Sequence, residues 1–247
     1  MAEQGSSSDL LQAPPASSGV AELRALLRKW FPEVGFYVGV IAAFYFWITA
    51  AVDGYLNRSW WVFAGSDGSS FSALGDPGTN ASGAAAGLSW IYNDVVIFPT
   101  AIMIMIFAAA MIVGARNRVQ STGAAFFLEA GVFLFLVGVY HGGPPTPAGY
   151  HDFVSNWFFV WAAVAILTWG VGTLWERRWL LGLAMILLVV VGVIIAAVAV
   201  HPDHWSVAQT EAWGILIIDI WLALMVFGRR RAGAPLFRMP PPTPAPA

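Results

Sequence analysis

The chain has 247 residues, 58% of them apolar and only 11% charged, with a positive mean hydropathy. That balance excludes an ordinary soluble enzyme and points to a protein whose solvent is largely lipid. A net charge of -2 gives no basis for nucleic-acid attraction, and the absence of cysteine removes disulfides, thiolate metal sites and cysteine nucleophiles.

Residues 1–30 begin "MAEQGSSSDLLQAPPASSG", polar and small, without the basic start and apolar centre of a signal peptide; a largely disordered cytoplasmic tail is expected there. A six-helix transmembrane domain is expected over 31–231. Its apolar windows, each long enough to cross about 30 Å of hydrocarbon, run 34–56, 90–114, 123–141, 155–175, 179–200 and 206–228. A long Gly- and Ser-rich outer loop occupies 57–89 and contains Asn80-Ala-Ser82, a weak match to a glycosylation acceptor. Residues 232–247, ending "MPPPTPAPA", read as a Pro-rich cytoplasmic tether.

Charge tests the topology. Of the 12 Lys and Arg residues, every one but Arg58 falls on one side of the six-span arrangement, including Arg24, Arg116, Arg118, Arg177, Arg178 and the run Arg229 to Arg231. The positive-inside rule then places both termini in the cytoplasm of a multi-pass, all-α cell-membrane protein, expected in a bacterial inner membrane. Trp60, Trp61, Trp90, Trp157 and Trp205 fall near the outer boundary, and Trp30, Trp175 and Trp179 near the inner one, as anchors do.

In that frame all four histidines, His141, His151, His201 and His204, map to the outer face, with Asp152, Asp203 and Glu211 nearby in sequence. Imidazoles with carboxylates suit copper, zinc or iron, so His141, His151, His201, His204 and Glu211 form the candidate metal set. The same residues are also ordinary at a wet interface. "YHGGPPTPAGYHD" joins spans three and four and reads either as a stiff connector or as the rim of a site.

Three carboxylates are the candidate catalytic residues. Glu129 and Asp219 fall inside spans, where an ionised carboxylate costs on the order of 3 kcal/mol, so both are expected to avoid lipid and to meet across the bundle. They would serve as proton relay, general acid, metal ligand or hydrogen-bonded glue between helices. Asp94 lies at the outer end of span two, ahead of Pro99, which is expected to kink that helix and free a carbonyl. Along the last span His204, Ala208, Glu211, Ile215 and Asp219 fall on one stripe. Along the third, Glu129, Phe133, Leu136 and Tyr140 do the same. No Walker loop, dinucleotide fingerprint, HExxH motif or set of histidine boxes occurs, and the sole lysine, Lys29, precedes span one.

The first span "GVIAAFYFWITAAVDGYL", the stretch "WIYNDVVIFPTAIMIMIFAAAMIVGARNR" and the closing "HPDHWSVAQTEAWGILIIDIWLALMVF" resemble the integral C-type or A-type subunits of the copper membrane monooxygenases, the particulate methane and ammonia monooxygenase group. The resemblance implies a subunit of a membrane oxidoreductase complex with copper as cofactor and other membrane subunits as partners. C-type subunits carry an Asp, a His four residues later and a second His about a dozen further on. Here Asp152 is followed at the first of those places by Asn156, so no copper ligand carries over by position. Two other readings stand beside it. One is a stand-alone enzyme using its buried carboxylates on a small apolar, lipid or isoprenoid substrate. The other is a proton-coupled transporter or noncatalytic assembly subunit.

Overall fold

The computed structural model describes residues 17–56, 74, 90–141, 146–199 and 207–232; both tails, nearly all of the 57–89 loop including Asn80 to Ser82, and the segment with His201 and His204 lie outside them. The described residues contain no strand. They form six long helices: α1 (Ser17–Leu56), α2 (Phe98–Gly114, entered through a π-helical turn Ile91–Ile97), α3 (Arg118–Val139), α4 (Tyr150–Trp175), α5 (Trp179–Ala199) and α6 (Val207–Ala232). Six helical stretches, of 38, 24, 22, 26, 20 and 19 residues, are long and apolar enough to cross a membrane. The chain is therefore a multi-pass integral membrane protein. The first helix begins at Ser17, within the stretch expected to be a tail.

The helices pack largely in chain order, α1 on α2, α2 on α3, α3 on α4 and α4 on α5, and α6 returns to α5 and the bundle interior. The closest approaches are made by small residues, as expected where lipid offers no hydrophobic drive and contact must come from tight packing. A Cβ on Gly35 of α1 would strike Ala110 of α2, and one on Gly123 of α3 would stand 2.9 Å from the Trp169 backbone nitrogen of α4. The centre is aromatic: Trp221 of α6 is completely buried, edge-on to Phe107 and Phe127 at ring separations of 6.3 and 5.0 Å. Away from it, Tyr37, Ile41, Phe44, Ile48, Val52 and Tyr55 form a continuous exposed stripe along α1, spaced to cover one face with apolar side chains.

The entry to α2 follows from Pro99. A proline has no N–H for the carbonyl four residues back, Val95, and the Tyr45 hydroxyl of α1 donates to that carbonyl instead at 2.6 Å. The expectation that Pro99 frees a carbonyl is thus met, by a π turn in which the Phe98 N–H donates to Asn93.

At the bundle end carrying the α2–α3 and α4–α5 turns, here the base, polar groups tie α3 to α4. Asn117 caps α3 by accepting from the Gln120 N–H at 2.9 Å, while its amide donates to the Gly172 carbonyl at 3.0 Å. Arg116 pairs with Glu176 at 3.5 Å. The neighbouring Arg178 guanidinium is held below its usual range by burial and then by the Arg116 charge, with Glu176 opposing both. Arg177 adopts a left-handed φ of 59° as α4 ends, which brings the Arg178 N–H back to the Thr173 carbonyl.

Candidate functional site

The opposite end, the mouth, holds the loop from α3 to α4. Gly149 has a φ of 81°, a conformation that suits glycine, and its carbonyl accepts from the Phe153 N–H at 3.0 Å. That turn swings the first residues of α4 back over the end of α3. His151 then reaches the Tyr140 carbonyl with Nδ1 at 2.6 Å, and its Nε2 lies 3.3 Å from the Ser155 hydroxyl one helical turn on. A carbonyl only accepts, so Nδ1 carries a proton, and in the neutral tautomer Nε2 is the atom left to accept from Ser155. Among the loop's described residues, the Tyr140 carbonyl fixes the His151 imidazole.

His151 and Ser155 stand at the polar end of a cavity of about 510 Å³ between α4, α5 and α6. Asp152, Asn156, Thr210 and Glu211 complete that polar end, and among the described residues no Lys or Arg lines the cavity. Below it the walls are Phe159, Ala163, Ile166, Val189, Gly192 and Ile217. The space exists because α4 and α6 barely meet, leaving α5 to close the third side. One clamp between α5 and α6 is the Trp213 indole, which donates to the Gly192 carbonyl at 2.9 Å. Val193 and Val207 line the cavity and are also more than half exposed, so it is continuous with the bundle's surroundings.

Ser155 and Glu211 also line a smaller space of about 40 Å³ that reaches Tyr92 in the bundle interior. Tyr92 is buried and borders that space together with Glu211, and Asp53 near the end of α1 is completely buried. The mouth end thus gathers polar groups from α1, the π turn, α4 and α6. Ser155, Phe159 and Glu211 border both spaces.

The stripe expected along the last span is observed from Ala208 onward: Ala208 is buried, Glu211 and Ile215 border the 40 Å³ space, and Ile215 and Asp219 border a third of about 50 Å³ deeper in the bundle. Asp219 accepts from the Trp47 indole of α1 at 2.6 Å. It does not meet Glu129. Glu129 lies eleven residues beyond Arg118, about halfway through α3, and its side chain is on an exposed face with Val132. The expected pairing of the two carboxylates fails because Ala124, Phe127 and Ala130 take the interior face of that turn of α3. Asp94 is likewise exposed, whereas Tyr92 and Asn93 point inward, the phase being set by the π turn.

Of the proposed metal set, His151 and Glu211 line one cavity, His141 lies just past the end of α3, and His201 and His204 lie outside the described residues. Among the described residues no three His, Asp or Glu side chains are grouped to hold a metal ion. Sequence reading missed Ser155 and Trp47. Ser155 carried a usable signal, four residues after His151 on the first turns of a helix, where two side chains stack on one face.

Replacing Trp47 by phenylalanine removes the donor to Asp219 while keeping an aromatic ring. A loss of about 1–3 kcal/mol is expected, read as a lower thermal midpoint in detergent, because a partly buried acceptor loses its partner. An unchanged midpoint would show that water replaces the indole.

No curated protein and no solved structure matches the chain. A family model does match, over residues 40–228, from the middle of α1 to the last turns of α6 and so across every group in the cavity. The chain belongs to that family, described as a protein of unknown function, DUF998.

Proposed function

We propose that the chain is a membrane protein that takes an amphipathic molecule of lipid or isoprenoid type into the α4–α5–α6 cavity and acts on it there. The observation that carries this reading is the cavity's two-part lining. About 510 Å³ lies within the range of small-molecule sites, and its apolar wall ends in a compact group of His151, Asp152, Ser155, Asn156, Thr210 and Glu211. A chain would lie along Ile166, Val189 and Ile217, with its polar group among the carboxylates and hydroxyls. The mouth faces the outer side of the membrane, in keeping with the Lys and Arg asymmetry. Access from the bilayer would pass Val193 and Val207.

The test is lipid mass spectrometry of protein purified in mild detergent. An amphiphile should accompany the native chain at near-stoichiometric level and fall at least tenfold in Ala163→Trp, whose indole would fill the cavity from α4. Equal retention by a well-folded Ala163→Trp protein would refute the assignment.

A second reading, an integral subunit of an oxidoreductase complex of the copper monooxygenase kind, draws support from Glu129. A carboxylate on an exposed face halfway through a span is costly in lipid and is relieved if a partner subunit covers it. Here the outer histidines would face copper. Native mass spectrometry should find a stoichiometric membrane partner, and copper content should drop when His201 and His204 are both changed to alanine. A lone chain with no copper would remove this reading.

A further inference from the structure

We infer that Ser155 is a nucleophile and His151 its general base, and that the cavity cleaves an acyl ester of a neutral, hydroxylated head group by way of an acyl-serine. This inference rests on the amphiphile-binding reading of the same cavity and assigns its chemistry.

Four features of the site support it. The serine and the imidazole are in hydrogen-bond reach at 3.3 Å, loose as such contacts commonly are before substrate is bound. The imidazole is oriented from behind by the Tyr140 carbonyl at 2.6 Å, which fixes the proton on Nδ1 and leaves Nε2 as acceptor. A carbonyl in that place does the orienting work that a carboxylate does in other nucleophile–base pairs, since either accepts the Nδ1 proton. The pair also sits at the level where the lining changes from apolar to polar, the level of an ester carbonyl in an amphiphile whose chain lies among Phe159, Ile166 and Val189. Asn156, the next residue along the same cavity wall, carries an amide able to donate to the oxyanion that develops on that carbonyl.

The chemistry balances with water as the only co-reactant. The Ser155 oxygen bonds to the acyl carbon as its proton passes to Nε2 of His151. The bond from the acyl carbon to the head-group oxygen then breaks, and that oxygen leaves with the proton from Nε2. Water attacks the acyl-serine, gives a proton to Nε2, and the serine oxygen departs and recovers it, releasing a carboxylic acid. Selection among head groups follows from charge. Asp152 and Glu211 line the polar end and, among the described residues, no Lys or Arg does, so hydroxyl groups find acceptors there while a phosphorylated head group meets repulsion.

The probe is a fluorophosphonate bearing a dodecyl chain, applied to the full chain in nanodiscs, with adducts mapped by peptide mass spectrometry. Labelling should fall on Ser155, disappear in Ser155→Ala and slow about 100-fold or more in His151→Asn, whose amide keeps the bond to Tyr140 but supplies no base. Monolauroylglycerol should compete for the label and dodecyl phosphate should not. Absence of an adduct at Ser155, or unaltered labelling in His151→Asn, would overturn the inference. Amphiphile retention measured in the same preparations reports separately on binding: retained amphiphile without an adduct defeats the ester chemistry alone, and loss of both defeats the cavity reading as well.

Discussion

Trp221→Ala should lower the stability of the folded bundle by about 3 kcal/mol, read as a fall in thermal midpoint or in resistance to denaturing detergent. Burial of a large ring in a soluble core is worth about 3–5 kcal/mol on truncation. Part of that range reflects transfer to water and is missing here, since lipid tails solvate an exposed apolar ring about as well as a core does. What remains is the cavity left between Phe107 and Phe127 and the loss of both edge-on ring contacts. Against this, the fully buried Trp221 Nε1 has no hydrogen-bond partner among the described residues, so its removal returns a little of the cost. Trp221→Phe should therefore be much milder than Trp221→Ala, and equal losses for the two would contradict a packing role.

Gly123→Val is expected to be comparably damaging by the opposite route. A Cβ at this position would lie 2.9 Å from the Trp169 nitrogen, 3.1 Å from the Ala165 carbonyl oxygen and 3.3 Å from the Trp169 Cα. These are backbone atoms of α4 and cannot rotate away, so α3 and α4 must move apart. Overpacking of this kind typically costs about 1–3 kcal/mol, and a branched side chain on an interhelical contact belongs at the upper end. The displacement also reaches the mouth, because Tyr140 and His151 hold the two helices together there. Gly123→Val should then disturb amphiphile retention as well as stability. Gly19, near the start of α1 with nothing within 4 Å of a built Cβ, is the matched control, and Gly19→Val should change neither.

The six spans were legible because each needs only an apolar run of sufficient length, a property of local composition. The inward stripe of α6 was legible for a similar reason: Ala208, Glu211, Ile215 and Asp219 share a face on any regular helix. What periodicity cannot provide is which face a neighbour covers. Glu129 shares a stripe with Phe133, Leu136 and Tyr140, yet the packed face of α3 is the one with Gly123, Ala124, Phe127 and Gly131. Small residues allowing close approach decided the orientation, over the polar group that seemed to demand burial. The partner of Asp219 was out of reach as well, since Trp47 lies 172 residues away and no local pattern couples the two. The His151–Ser155 pair was half visible. Its spacing could be read, but the carbonyl that orients the ring depends on the reversal of the chain between Tyr140 and Tyr150.

The π turn at Ile91–Ile97 has a consequence for chain length. A π turn holds one residue more than an α turn would, and each helical residue advances the phase by about 100°. Tyr92 and Asn93, within it, owe their inward facing to the way the turn accommodates that one extra residue. Wound as a regular α-helix with no residue removed, the same segment would turn Tyr92 by about 100° away from Glu211, whereas loss of one residue together with the π turn would leave that facing unchanged. The meeting of polar groups beneath the mouth is thus set as much by how one extra residue is wound as by residue identity.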